Sequence, residues 1–295
     1  LLSLSDSQIR ELRGERIAMI FQDPGKALNP GLTIRTQLAE VFQEHRENDV
    51  FEKAGLKNSL SGISGYFLKK YIRQDVNLIT KLMLNVPPFR GHRKNLDKAL
   101  DALVTEALAE TQIPNSKKIM ERYPHELSGG MKQRVMIAQA IACNPDLLIA
   151  DEPTTALDVT VQARVLDLIK DLQKRHKTSV LYISHDLSLV RRICDRVAVM
   201  YAGKIVETGD AETIFNNPKH PYTQGLIKAL PSVSHERGKL EAIEGMVPEL
   251  INPKSGCRFA TRCKQKKASC ENNDPELKVL SNKDKSHKVS CFLYE

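Results

Sequence analysis

The first apolar run of the chain covers residues 16–21, Arg-Ile-Ala-Met-Ile-Phe, and it stops at the breakers Asp23-Pro24-Gly25 and Asn29-Pro30-Gly31. A short apolar run bounded by turn residues predicts a buried strand. A helix is expected next, over 33–45. Phe67, Leu68, Tyr71, Ile72, Val76, Ile79, Leu82 and Met83 then recur at helical spacing. That period predicts a further helix, which Pro87-Pro88 ends. Helices are also expected over 95–112, 131–142 (opened by Ser128 and two glycines), 160–175 and 186–194. Asp146 to Asp151 reads as a buried parallel strand, Ser179 to Ser184 as another, and 196–201 with 204–208 as a hairpin around Ala202-Gly203. Past about residue 235 the period fades and loop is expected. Strands alternating with helices predict an α/β fold, and no internal repeat is present.

With 295 residues, 41% of them hydrophobic, the chain can bury a large core. One large domain over 1–234 and a small extension over 235–295 are expected. No apolar stretch approaches the ~18 residues that span a bilayer, so a membrane role is expected to be peripheral. The chain starts at Leu1 without Met, and Leu1 to Leu4 is too short for the core of a signal peptide. The expectation is a chain that begins inside a domain, since an interior strand is already present at 16–21.

Charge is uneven. The net charge is +8, and residues 48–95 carry nine Lys and Arg against three Asp and Glu, while 254–295 carry ten against five. Such surface can meet nucleic acid, anionic lipid or acidic proteins, and the simpler reading of either segment is a solvated basic face. Cys143 and Cys194 stand alone in apolar helical patterns and read as small core residues. Cys257, Cys263, Cys270 and Cys291 gather near the end, which suggests metal more than disulfides.

Two stretches carry chemistry. Leu127-Ser128-Gly129-Gly130-Met131 puts a hydroxyl and backbone N–H groups at a helix start, an anion-binding arrangement. Leu147-Leu148-Ile149-Ala150-Asp151-Glu152 puts adjacent carboxylates at the C-terminal end of a buried strand, where α/β proteins bind ligands. Asp151 there can hold Mg²⁺ and Glu152 can orient or deprotonate a water. Alone, the first is usually a turn and the second a helix cap.

Together they resemble the nucleotide-binding subunits of ABC transporters. Leu127 to Met131 matches the signature motif, Leu147 to Glu152 Walker B, and Ala156-Leu157-Asp158 the D-loop. Ser184-His185-Asp186 matches the switch histidine, and Phe21-Gln22-Asp23-Pro24 the Q-loop. The resemblance covers about residues 8–230 apart from 48–95. It implies a P-loop NTPase-type domain with a helical subdomain over about 33–142. It also implies that Asp151 and Gln22 attend Mg²⁺, that Glu152 polarises the water, and that His185 contacts the γ-phosphate. Ser128, Gly129, Gly130 and Asp158 would serve an ATP held mainly by a partner subunit. No Gly-x-x-x-x-Gly-Lys-Ser/Thr occurs in the 295 residues. In this family that phosphate-cradling loop precedes the Q-loop, so a truncated front part is expected, with a degenerate subunit as the alternative. Either way, the 295 residues alone are expected to bind ATP poorly and not to hydrolyse it.

Tyr123 to Val135, Asp151 to Val159 and His220-Pro221-Tyr222-Thr223 are similar to the oligopeptide/dipeptide importer branch. So are the surroundings of Cys257, Cys263, Cys270 and Cys291, with Lys264 where that branch usually has Pro. This implies two membrane permease subunits, a paralogous ATP-binding subunit or a second copy, and a peptide-binding protein acting indirectly. The place implied is the cytoplasmic face of the plasma membrane, with no nucleic acid partner. A soluble ABC ATPase acting on nucleic acid or ribosomes, and a non-catalytic partner subunit, are the alternatives. The resemblance leaves the four tail cysteines as ligands of a [4Fe–4S] cluster, as zinc ligands or as packed thiols. Their spacings of five, six and twenty intervening residues fit neither zinc pairs nor a ferredoxin run. Residues 48–95 read as an insertion, solvent-facing on the subdomain in the simpler reading, or touching a permease loop or anionic headgroups.

Overall fold

The computed structural model describes residues 3–57, 62–75, 80, 82, 84–87, 89–155, 157–230, 243–249, 251–252, 255–280 and 285–295. The chain forms two compact units, Leu1–Ile183 and Ser184–Glu295. The domain boundary expected at 234/235 lies outside the described residues.

In the first unit, α1 (Asp6–Leu12) is opened by a capping box between Ser5 and Gln8. Strand β1 (Ile17–Ile20) leads through a single helical turn, Pro24–Ala27, to α2 (Ile34–His45), α3 (Glu47–Lys53), α4 (Gly62–Ile72) and α5 (Phe89–Glu110). Helix α6 (Gly129–Ile141), β2 (Leu147–Asp151), α7 (Val159–His176) and β3 (Ser179–Ile183) complete it. The three strands are parallel in the order β1-β2-β3, with Ile20 opposite Ala150 and Asp151 opposite Ile183. Ala18, Ile20 and Leu148 pack against Met136, Ile137 and Ile141 of α6 and Val165, Leu168, Ile169 and Leu172 of α7. On the other face Ile17, Met19, Leu147 and Ile149 are half-buried, while Leu181 and Ile183 are exposed. Parallel sheets usually carry cover on both faces.

A second core fills the helical part. Leu38, Phe42, Val50, Phe51, Leu68, Ile72, Leu96, Leu100, Val104 and Leu108 are all buried in one cluster. Within 48–95, Val50, Phe51, Leu68 and Ile72 are fully enclosed, so this segment packs into the helical part. The helix expected through Met83 also departs from expectation. Helix α4 stops at Ile72, and Gln74 takes a left-handed backbone, φ 57°. The Asp75 N–H then returns to the Lys70 carbonyl, closing the end as helix termini commonly do. Leu82 is exposed rather than in the core, and Val76, Ile79 and Met83 lie outside the described residues. No helix among the described residues is long and apolar enough to cross a membrane.

The second unit runs from α8 (Leu187–Ile193) into the antiparallel pair β4 (Arg196–Tyr201) and β5 (Lys204–Asp210). Ala202 and Gly203 both have positive φ, 47° and 79°. That is the turn whose twist suits a two-residue hairpin. Helices α9 (Ala211–Asn216) and α10 (Pro221–Lys228) follow. The tail, expected as loop, adds β6 (Lys278–Val279) and β7 (Lys288–Val289), giving the order β4-β5-β7-β6. Each is two residues long, too short to leave a period in the sequence. Val197, Val199, Tyr201, Val206, Ile214, Phe215 and Phe259 form the core. Cys143 and Cys194 lie just past helix ends rather than inside helices, half-buried, and burial pushes the Cys143 thiol up to about 11.

Candidate functional site

Strands β1 and β2 lie side by side, with Gln22 two positions past the end of β1 and Glu152 directly after β2. Gln22 Nε2 donates to Glu152 Oε2 at 2.6 Å, joining residues 130 positions apart. The Thr155 hydroxyl donates to the same oxygen at 2.9 Å, and the Glu152 N–H donates to the Ile183 carbonyl at 2.9 Å. Glu152 takes φ 43°, a left-handed conformation that costs free energy for a residue with a Cβ. The backbone turns sharply as it leaves the strand, and the carboxylate is held by both neighbours. Asp151, half-buried at the end of β2, has no hydrogen bond or ion pair to its carboxylate among the described residues. That suits a divalent cation at this place.

The Ser-Gly-Gly turn behaves as its sequence suggests. Ser128 caps α6, its Oγ accepting the Met131 N–H at 3.4 Å. Two glycines let the next helix come close: a Cβ on Gly130 would stand 2.9 Å from Val161 Cγ1 of α7, and one on Gly129 3.7 Å from Leu157 Cδ2. Asp158 caps α7 in the same manner, accepting the Val161 N–H at 3.0 Å. Gly129, Gly130 and Asp158 are thus gathered where two capped helices start. Of the D-loop match, Ala156 lies outside the described residues. His185 belongs to the second unit, two positions beyond β3, and is exposed. Ser184 Oγ accepts the Asp186 N–H at 3.0 Å, and Asp186 caps α8.

In the second unit the four tail cysteines are free thiols brought into one neighbourhood. The Cys257 N–H donates to the Cys270 carbonyl at 2.9 Å, and the Lys267 N–H reaches Cys270 Sγ at 3.4 Å. Burial raises the thiols of Cys257, Cys263 and Cys291, and proximity of the others adds to it; Cys291 reaches about 11. Among the described residues no group of three or more His, Cys, Asp or Glu is arranged to hold a metal ion. The donors are chemically right for a four-thiolate site and converge, but they are not set as a ligand cage.

A buried polar network beside them had no signal in the sequence. Glu207 is completely buried, 0% exposed, and its carboxylate accepts the N–H groups of Lys219 at 2.7 Å and His220 at 2.9 Å. His287 Nε2 lies 2.8 Å from its Oε1. A register shift between Val199 and Met200 puts consecutive residues, Val206 and Glu207, on the inside of β5. Strand alternation cannot foresee that. His220 is buried too, which lowers its pKa to about 4 against the pull of Glu207, and its Nδ1 caps α10 by accepting the Tyr222 N–H.

A family model described as ABC transporter matches residues 3–155, and one described as Oligopeptide/dipeptide transporter, C-terminal region, matches 206–270. The dipeptide transport ATP-binding protein DppD of Bacillus subtilis is 39% identical over 295 residues, covering 100% of this chain and 73% of the relative. The oligopeptide transport ATP-binding protein AppD of the same organism is 41% identical over 295 residues, covering 100% and 75%. A solved dimeric ATP-binding cassette in a post-hydrolysis state with ADP and Pi overlays at a TM-score of 0.47 with 22% identity, over 71% of this chain and 68% of its own. Sequence identity of this extent places the chain in the ABC transporter family of ATP-binding proteins, with the α/β cassette fold of that family.

Proposed function

We propose that this chain is the ATP-hydrolysing subunit that powers peptide import through an ABC transporter. The observation that carries the proposal is the Gln22–Glu152 hydrogen bond at the ends of adjacent parallel strands. In a chain of this family that contact gives the carboxylate a fixed aim. In this reading Glu152 holds and polarises the attacking water, which adds to the γ-phosphorus of ATP as the bond to ADP breaks. Asp151, with Gln22, holds Mg²⁺, whose charge balances the phosphate oxygens. Ser128, Gly129 and Gly130 offer N–H groups and a hydroxyl to the γ-phosphate of an ATP seated mainly on the partner, and Asp158 works across that interface. His185 contacts the γ-phosphate. The partners are two permease subunits and a paralogous ATP-binding subunit or a second copy, on the cytoplasmic face of the membrane. The large domain ends near residue 234 and the extension fills 235–295.

The decisive experiment is peptide-stimulated ATP hydrolysis by the transporter assembled from the whole ATP-binding protein and its permease subunits, native against Glu152→Gln. A fall on the order of a hundredfold or more supports the assignment. Undiminished turnover removes Glu152 from the chemistry and the proposal with it.

A finer part concerns Cys257, Cys263, Cys270 and Cys291 as ligands of a [4Fe–4S] cluster; their convergence and the thiolate donor set support it. Iron and sulfide analysis of anaerobically prepared protein tests it. About four irons per chain, lost in Cys291→Ser, is expected; iron-free protein in which all six thiols of the chain titrate rejects the cluster.

A further inference from the structure

Away from the nucleotide site, a cleft of about 450 Å³ opens where the chain enters α5. Asn85, Arg90, Arg93, Lys94 and Asp97 line it, three cations against one carboxylate. One oxygen of that carboxylate accepts the Tyr71 hydroxyl, at 2.8 Å to Asp97 Oδ1. Tyr71 also sets Arg93. The guanidinium lies 5.3 Å from the Tyr71 ring centroid and its Nε donates to the Tyr71 oxygen at 3.3 Å. The inner nitrogen is thereby used, and the terminal nitrogens keep their donors for something else. Among the described residues no ion pair engages Arg90, Arg93 or Lys94. Three like charges side by side against a single carboxylate, Asp97, cost free energy unless a further anion joins them.

Exposed apolar side chains stand close to Asn85 and Arg90 in the chain: Leu82 is 72% exposed and Val86 47%, and their carbonyls accept the Asn85 and Arg90 N–H groups. On α4, the helix that carries Tyr71, Tyr66 is 57% exposed and Lys70 lies over its ring at 5.4 Å. Apolar side chains flanking a cluster of cations match the boundary between headgroups and acyl chains. A soluble phosphate compound would have no use for the exposed leucine and valine.

We infer that this cleft is a binding site for the phosphate of an anionic phospholipid headgroup, with Arg90, Arg93 and Lys94 on the phosphate and Leu82, Val86 and Tyr66 against the lipid boundary. The site fixes one edge of the helical part against the bilayer, independently of contacts to permease subunits. It does not depend on the proposed catalytic roles.

The test is binding of the full chain to phosphatidylglycerol/phosphatidylcholine vesicles and to pure phosphatidylcholine vesicles. The proteins are native, the triple variant Arg90→Gln/Arg93→Gln/Lys94→Gln, the double variant Arg90→Gln/Lys94→Gln that keeps the Tyr71–Arg93 contact, and a control that removes three exposed charges elsewhere, Lys117→Gln/Lys118→Gln/Arg122→Gln. Expected are binding to the anionic vesicles only, weakening with salt, and a loss of about fivefold per charge removed from the cleft. The control should change binding by less than twofold, roughly the scale of screened distant charges. Equal losses in cleft and control variants would reduce the effect to net charge and overturn the site, as would native-like binding by the cleft variants. Cleft-dependent binding of inorganic pyrophosphate without vesicle binding would overturn the lipid assignment.

Discussion

The two units use acidic residues in opposite ways. In the first, Glu152 is accessible, held by Gln22 and Thr155, and stands at the open end of a parallel sheet with Asp151 beside it unpaired among the described residues. In the second, Glu207 is wholly enclosed and every contact it makes ties one stretch of chain to another: β5 to the start of α10 through Lys219 and His220, and β5 to the last strand through His287. In the proposed function the first carboxylate meets a ligand. The second acts as a fastener for a unit whose tail strands, two residues each, cannot hold themselves by backbone pairing. A carboxylate in a cassette is therefore to be judged by what surrounds it, not by its place after or within a strand.

This contrast can be broken experimentally. The largest stability effect is expected at Glu207. Glu207→Ala leaves His287 and two backbone N–H groups buried without their partner, at a cost of about 3–5 kcal/mol. Thermal unfolding should show the second unit melting well ahead of the first; a melt shifted by less than a degree would mean the carboxylate fastens nothing.

Next comes acid. His220 has a folded pKa of about 4 against an ordinary 6.5, so the unfolded chain takes up its proton first as pH falls. Stability from its neutral form is fully present above about pH 6.5 and drains away toward pH 4, by about 3 kcal/mol in all. His220→Asn keeps a capping acceptor for α10 and removes the titration. Chemical denaturation across pH 4–7 should then give a flatter curve for the second unit, and an unchanged slope would assign the acid sensitivity elsewhere.

The smallest effect sharpens the first unit. Gly130→Ala drives a methyl group to within 2.9 Å of Val161. Overpacking of about 1–3 kcal/mol is offset by about 1 kcal/mol of helix propensity. Val161→Ala in the same chain should recover the loss. Simple additivity of the two substitutions in a double-mutant cycle would show that the helices do not meet there.

The local geometry of the candidate site was legible because its residues sit in short continuous runs at strand ends and helix starts. Phe21-Gln22-Asp23, Ser128-Gly129-Gly130 and Asp151-Glu152 each carry their local geometry with them, as capping residues and breakers do. The strands fell within a residue or two of their expected limits for the same reason. What sequence could not reveal depends on long-range packing. The apolar period from Phe67 to Met83 looked continuous, yet the chain turns at Gln74, and Leu68 and Ile72 go inward while Leu82 goes out. The Glu207–His287 pair joins positions 80 residues apart across a register shift, so neither alternation nor spacing marks it.

The half-covered parallel sheet bears on how the protein behaves in a test tube. Leu181 and Ile183 point out of β3, with Ile17, Met19, Leu147 and Ile149 only half-shielded beside them. A continuous greasy stripe of this kind is a colloidal liability. A solution of these 295 residues should turn cloudy on warming and bind an environment-sensitive dye such as ANS while its secondary structure is still intact. Mild detergent, by wetting that stripe, should keep the preparation clear.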